Sequence, residues 1–99
     1  MDLAALTAKA SEALKGGDFD KIVKFDFGDI GKLLLNGKDG VASNEDGEAD
    51  ATVKVDWDDF QKLLAGNLDP TMAFMQGKLK VAGDMSVAMK LQSLFSKLS

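Results

Sequence analysis

The sequence feature that most constrains the fold is a change in hydrophobic periodicity at Asp56. Ahead of this residue, apolar side chains such as Val23 and Phe25 alternate with polar ones, which is typical of half-buried β-strands. After it, apolar side chains such as Phe60 and Leu64 recur at the spacing of an amphipathic helix. Because both patterns occur within one short chain, the sequence predicts an α+β fold.

The pattern predicts, in order, one helix, four strands, two helices, a strand and a final helix. The first helix and four strands are expected at residues 1–15, 21–28, 30–36, 41–43 and 49–55. Asp56 and Asp69 are the expected N-caps of the next two helices, which end at Gly66 and Gly77. The last strand and helix are expected at residues 78–82 and 85–98. Without repeats or linkers, residues 1–99 read as a single domain, with one sheet covered by helices on one face.

The charge balance argues against nucleic acid as a partner. Twelve lysines face sixteen acidic residues, and arginine is absent, so the formal net charge is -4. A protein that binds the phosphate backbone needs a basic surface, and bidentate recognition of phosphate or guanine needs arginine. Strong attraction to anionic membranes is not expected for the same reason. Because the sequence has no cysteine and no signal-peptide pattern, we expect a cytoplasmic location.

The residue types that most enzymes use are missing. Histidine, cysteine and tyrosine do not occur, which removes the usual general base, the thiol nucleophile and the common zinc ligands. Asp58 and Asp59 are adjacent on a helix and point about 100° apart, so they suit the helix dipole better than catalysis. The acidic loop from Asp39 to Glu48 lacks a calcium-binding pattern. We therefore predict no catalytic residue, no metal site and no cofactor.

The last helix has more apolar surface than docking to a sheet requires. A stripe of the usual width is formed by Val87, Leu91, Leu94, Phe95 and Leu98. Met85, Ala88 and Met89 widen it to roughly 220°, against ~100° for a docked helix. Methionine adapts to varied shapes, so these residues suit both a ligand cavity and the filling of an ordinary core. Gln92 lies within the apolar sector, where a buried amide needs a partner such as a ligand head group.

Residues 60–94 read FQKLLAGNLDPTMAFMQGKLKVAGDMSVAMKLQSL. The run resembles the signature of the sterol carrier protein type 2 family. The resemblance rests on Phe60, Leu63-Leu64, Gly66, Asp69-Pro70, Ala73 to Lys80, Gly83-Asp84-Met85 and Ala88 to Gln92. It is strongest over the second half of the chain.

The resemblance implies a five-stranded mixed sheet covered on one face by helices, with an apolar lipid tunnel between them. It implies non-catalytic binding and intracellular transfer of fatty acids, acyl-CoA, phospholipids or sterols. Together with the apolar sector, it predicts a lipid-binding set of Phe25, Leu33, Phe60, Leu64, Phe74, Met75, Met85, Met89 and Gln92. We expect a monomer, and transient contact with a membrane is compatible with this function.

Two other classes of function stay open on the residues alone. An accessory or regulatory domain could use the methionine-rich surface to bury an apolar helix of a partner protein. A small hydrolase or isomerase would have to use Asp58, Asp59 or Asp84.

Overall fold

The periodicity change at Asp56 separates the strand-rich first half of the fold from its helix-rich second half. A computed structural model describes residues 2–15 and 19–98, apart from the side chains of Ala88, Leu91 and Gln92. The helices are α1 (Leu3–Leu14), α2 (Trp57–Ala65), α3 (Pro70–Met75) and α4 (Met85–Leu98). The strands are β1 (Ile22–Asp26), β2 (Lys32–Asn36), β3 (Val41–Ser43), β4 (Ala51–Val55) and β5 (Leu79–Gly83). The predicted order of these elements is confirmed.

The five strands form one mixed sheet in the order β3-β2-β1-β4-β5. β1 and β4 run parallel, whereas the other neighbours are antiparallel. Phe25 is the Cα partner of both Leu33 in β2 and Val53 in β4. This register places the three side chains on one face of the sheet, since side chains in neighbouring strands at paired positions point the same way.

The helices bury only this face. Along β1, β2 and β4, the residues that alternate toward the helices are buried, whereas Lys24, Leu34 and Thr52 on the opposite face are only partly covered. The core combines the inner face of the sheet with one side of each helix, such as Leu6 of α1 and Ala73 of α3. The predicted one-sided α+β arrangement is therefore confirmed.

Short polar and glycine signals set the helix ends. The Asp69 carboxylate accepts a hydrogen bond of 2.7 Å from the Thr71 backbone N–H, and Pro70 occupies the first turn of α3. Gly66 ends α2 in the left-handed conformation at φ 81°. Asp56 occupies the predicted N-cap position of α2, but its side chain makes no capping hydrogen bond.

The boundary between β1 and β2 differs from the prediction. β1 ends at Asp26 rather than residue 28, and β2 begins at Lys32 rather than Ile30. A short 3-10 helix, Gly28–Ile30, occupies the connection, with Gly28 and Gly31 at φ 72° and 130°. These glycines permit a tight turn that side-chain alternation does not reveal, and Ile30 is consequently exposed. The predicted end of α1 at Gly16 and Gly17 lies outside the described residues.

Candidate functional site

An aromatic cluster lies between the sheet and the helices. The ring of Phe25 in β1 is 5.2 Å from that of Phe60 in α2 and 6.1 Å from that of Phe95 in α4, between centroids. Phe60 and Phe95 are 5.6 Å apart in an edge-to-face arrangement. Phe27 and Trp57 extend the cluster, with 5.0 Å between their rings. The cluster thus joins one strand to two helices.

A surface groove of about 390 Å³ opens between α2, α3 and the second half of α4. Phe95 forms part of its wall and also contacts the aromatic cluster. The other side chains of its lining are the apolar Leu63, Leu64, Ala65, Leu68 and Pro70 and the polar Asp69 and Ser96. The volume falls within the ~300–1,000 Å³ typical of small-molecule sites.

Four of the predicted lipid-binding residues belong to this inner region. Phe25, Leu33 and Phe60 are fully buried, and Leu64 is nearly so. Phe25 and Leu33 are neighbours across β1 and β2, and Phe25 contacts Phe60 directly. Leu64, one turn further along α2, lines the groove. The fold therefore brings these residues together around one apolar centre.

Four others lie at the surface instead. Phe74 and Met75 are exposed on α3, and Met85 and Met89 are exposed on α4. Met89 is the most exposed of them, at 87% of its full surface. The side chain of Gln92 lies outside the described residues.

The surplus apolar sector of α4 is present in the structure. Among its described side chains, the buried ones are Val87, Leu94, Phe95 and Leu98, which together span roughly 100° of the helix circumference. Met85 and Met89 fall outside this stripe and face solvent. Core packing thus accounts for the stripe and leaves these two methionines without a packing role in the described fold.

Sequence reasoning overlooked some residues of this region. The spacing along α4 predicts a core position for Phe95, and the contacts of Phe95 with both the groove and the aromatic cluster emerge only from the fold. Leu68, in the connection between α2 and α3, and Pro70, the first residue of α3, also line the groove. No signal within the sequence relates these positions to Phe25, because the relation arises from tertiary packing.

The charged side chains of the described residues lie at the surface of the fold. Among the described residues no polar or charged side chain is buried. Hydrogen bonds from Ser86, together with Lys21 at 3.6 Å, lower the pKa of Asp84 at the start of α4. Lys24 likewise lowers the pKa of Asp46, which it contacts at 2.8 Å on the outer side of the sheet. Within the groove, Asp69 and Ser96 place polar groups in the wall beside its apolar residues.

The chain matches the model of the SCP-2 sterol transfer family over residues 2–96. The chain belongs to this family. The resemblance read from residues 60–94 is therefore confirmed, and the SCP-2 match extends over nearly the whole chain.

Two curated relatives support the SCP-2 assignment. Sterol carrier protein 2 of Gallus gallus is 49% identical over 61 residues, which are 62% of this chain and 11% of that protein. Hydroxysteroid dehydrogenase-like protein 2 of Xenopus tropicalis is 46% identical over 67 residues, which are 67% of this chain and 16% of that protein. This chain thus spans less than a fifth of the length of either relative. That residues 1–99 form a single domain stays a prediction.

Solved SCP-2 structures share the fold. The solution structure of sterol carrier protein 2 from Aedes aegypti, in complex with palmitate, superposes with a TM-score of 0.80. It covers 100% of both chains at 21% sequence identity, so the likeness concerns the fold. Within residues 2–15 and 19–98, none of the helices has the length and apolar character needed to cross a bilayer.

Proposed function

We propose that this chain binds fatty acids, acyl-CoA, phospholipids or sterols in an apolar cavity and carries them between membranes or proteins inside the cell. The observation that carries the proposal is the groove of about 390 Å³ whose wall residue Phe95 contacts both Phe25 and Phe60. An apolar ligand entering there would reach the centre of the core by displacing one ring. Membership in the SCP-2 sterol transfer family supports the same ligand class.

The predicted residues divide into two parts of the proposed site. Phe25, Leu33, Phe60 and Leu64 would form the inner wall, where they are already buried against one another. The outer rim would consist of Phe74, Met75, Met85, Met89 and Gln92. Side chains of the rim that face solvent in the free protein would gain apolar contacts once a lipid is bound.

The physical basis of binding is transfer of an acyl or sterol skeleton out of water. Each buried methylene contributes ~0.8 kcal/mol, so a long chain binds well with few polar contacts. Apolar walls discriminate weakly between ligands of similar size, because adding or removing one methylene group changes the affinity only modestly. We therefore expect broad rather than strict lipid selectivity.

We further propose that the chain has no catalytic activity of its own and acts as a cytoplasmic monomer. The absence of histidine, cysteine and tyrosine from the sequence supports a carrier rather than an enzyme. The dehydrogenase-like relative is much longer than this chain, so its name gives no reason to assign a reaction to these 99 residues.

A specific observation also favours a second candidate, an accessory domain that buries an apolar helix of a partner protein. Met85 and Met89 stand one turn apart on α4 and both face solvent, and methionine-rich surfaces accept varied partners. Native mass spectrometry of the chain purified from its source separates the two. Co-purified lipid supports the carrier, whereas a stoichiometric protein partner without lipid supports the accessory domain.

Calorimetric titration of palmitate, oleoyl-CoA and a sterol into the lipid-free chain tests the carrier directly. We expect saturable binding of at least one, with a Kd on the order of micromolar or tighter, because a buried acyl chain contributes many methylenes. Absence of heat and of any saturable fluorescence change with all three would overturn the proposal.

A further inference from the structure

The methionines that the structure describes lie at the surface rather than in the core. Met72 and Met75 are exposed on α3, and Met85 and Met89 are exposed on α4. Among the described residues, the buried apolar core contains no methionine. Packing against neighbours would shield a thioether, whereas these four side chains are accessible to solutes in the surrounding water.

These side chains are also the most readily oxidised ones in the chain. The sequence has no cysteine, so no thiol competes with the methionines for an oxidant. The half-buried Trp57 packs against the rings of Phe27 and Phe60. A thioether takes up one oxygen atom to give methionine sulfoxide, which is polar, and sulfoxide reductases reverse the change. We therefore expect a dissolved oxidant to act first on the exposed methionines.

Met85 and Met89 lie in line with the groove. Ser96, whose side chain is part of the groove wall, belongs to the same helix. At 100° and 1.5 Å per residue, the three positions fall within about 40° of one another around α4, and Met89 is about 10 Å from Ser96 along the axis. A ligand that extends out of the groove along this line would contact both methionines.

From these observations we infer that Met85 and Met89 form a reversible oxidation site that lowers the affinity of the chain for lipid. The inference rests on the proposed function, because the effect requires an apolar ligand beside these side chains. The oxidant is hydrogen peroxide or an organic hydroperoxide.

The reaction is a two-electron transfer of one oxygen atom. A lone pair of the thioether sulfur attacks the terminal oxygen of the hydroperoxide, so that an S–O bond forms as the O–O bond breaks. The proton of the transferred hydroxyl passes to the leaving oxygen, which departs as water or as an alcohol. The sulfur is oxidised to the sulfoxide and the peroxide is reduced.

Oxidation should weaken lipid binding without unfolding the chain. A sulfoxide oxygen that contacts an acyl chain gives up its hydrogen bonds to water, which is unfavourable. In the lipid-free chain the same oxygen stays in water, because both side chains face solvent. The modification therefore disfavours the lipid-bound state and leaves the free state almost unchanged.

Treatment of the lipid-free chain with hydrogen peroxide tests the site. Peptide mapping by mass spectrometry locates each added oxygen, and Met89, at 87% exposure, should be oxidised ahead of Met72, at 48%. The oxidised chain should bind palmitate on the order of tenfold more weakly at an unchanged Tm. The two methionine sulfoxide reductases, one for each sulfoxide epimer, should restore the affinity. Oxidation of Met72 ahead of Met89, an unchanged affinity, or a loss of affinity that accompanies unfolding would overturn the inference.

Matched leucine variants locate the effect, since leucine is apolar and has no sulfur to oxidise. Each variant is compared with itself before and after peroxide. Met85→Leu with Met89→Leu should show little change in palmitate affinity on treatment. Met72→Leu with Met75→Leu keeps both methionines of α4 and should lose affinity as the wild type does. Equal protection by the two pairs, or no protection by the α4 pair, would contradict the assignment to α4.

The untreated chain separates this inference from the proposed function. Failure to bind palmitate, oleoyl-CoA and a sterol before any peroxide is added contradicts the carrier itself. Palmitate binding that is saturable and stays the same after oxidation of Met85 and Met89 contradicts only the oxidation site.

Discussion

Phe95 of α4 meets Phe60 of α2 edge to face, with 5.6 Å between the ring centroids. The contact joins the last helix to the helix that follows β4, and Phe95 also forms part of the groove wall. Phe95 therefore contributes both to the core and to the proposed lipid site.

Phe95→Ala should reduce the free energy of unfolding by about 3–5 kcal/mol, because it removes a buried ring and leaves a cavity. Phe74→Ala makes the same change at a side chain that is 48% exposed, and should cost about 1 kcal/mol or less. Urea denaturation of both variants measures the difference. Similar losses of stability would show that Phe95 is not part of the core.

Met89→Asp should leave the stability within about 0.5 kcal/mol of the wild type, since the side chain faces solvent. It should still weaken palmitate binding, because a carboxylate at the rim opposes an apolar ligand. Leu94→Asp buries an unpaired charge in the same helix and should prevent folding. A Met89→Asp protein that melts and binds normally would place the lipid site on another face.

Trp57 should report ligand binding by a shift in its fluorescence emission. Its ring is half-buried and lies 6.1 Å from that of Phe60 and 5.0 Å from that of Phe27. A lipid that moves Phe60 would change the polarity around the indole. Titration with palmitate, monitored by emission wavelength, checks this. An unchanged spectrum at saturation would place Trp57 away from the site.

Gly83→Ala should destabilise the fold by about 3 kcal/mol or more. Gly83 has φ +100°, and an added Cβ would lie 2.5 Å from the Asp50 carbonyl oxygen, which is too close for any side chain. Gly66→Ala is the matched control, because Gly66 also has a positive φ but has open space around it. We therefore expect Gly66→Ala to lower the free energy of unfolding by only about 1 kcal/mol. Thermal melts that rank the two variants equally would contradict the steric argument.

Asp84 should contribute to stability at neutral pH and lose that contribution in acid. Hydrogen bonds from Ser86 lower the pKa of its carboxyl in the folded chain. A group with a lowered folded pKa stabilises the fold above its unfolded pKa of about 3.9, and this stabilisation is lost as the pH falls through the folded pKa. In Asp84→Asn the drop in Tm between neutral pH and a pH below about 3 should be smaller. An equal drop in both proteins would rule out this role.

Periodicity and short polar signals were sufficient for the order of the helices and strands and for the buried faces of β1 and β4. Alternation at Val23 and Phe25 indicated which side of β1 is covered, and Asp69 with Pro70 located the start of α3. These features are local, because they depend on the direction of successive side chains and on backbone groups a few residues away. The α4 sector was likewise predicted from spacing alone.

The tertiary structure alone decided how these elements combine. The parallel pairing of β1 with β4 brings Phe25 and Val53 together across 28 positions of sequence, and periodicity carries no information about which strands pair. The glycine turn at Gly28 and Gly31 displaced Ile30 from β2, although its apolar character suits a strand. On α4, Met89 is exposed whereas Phe95 is buried. The difference follows from the position at which α4 packs against α2 and the sheet. Packing on one side of a helix determines which part of its apolar sector faces water.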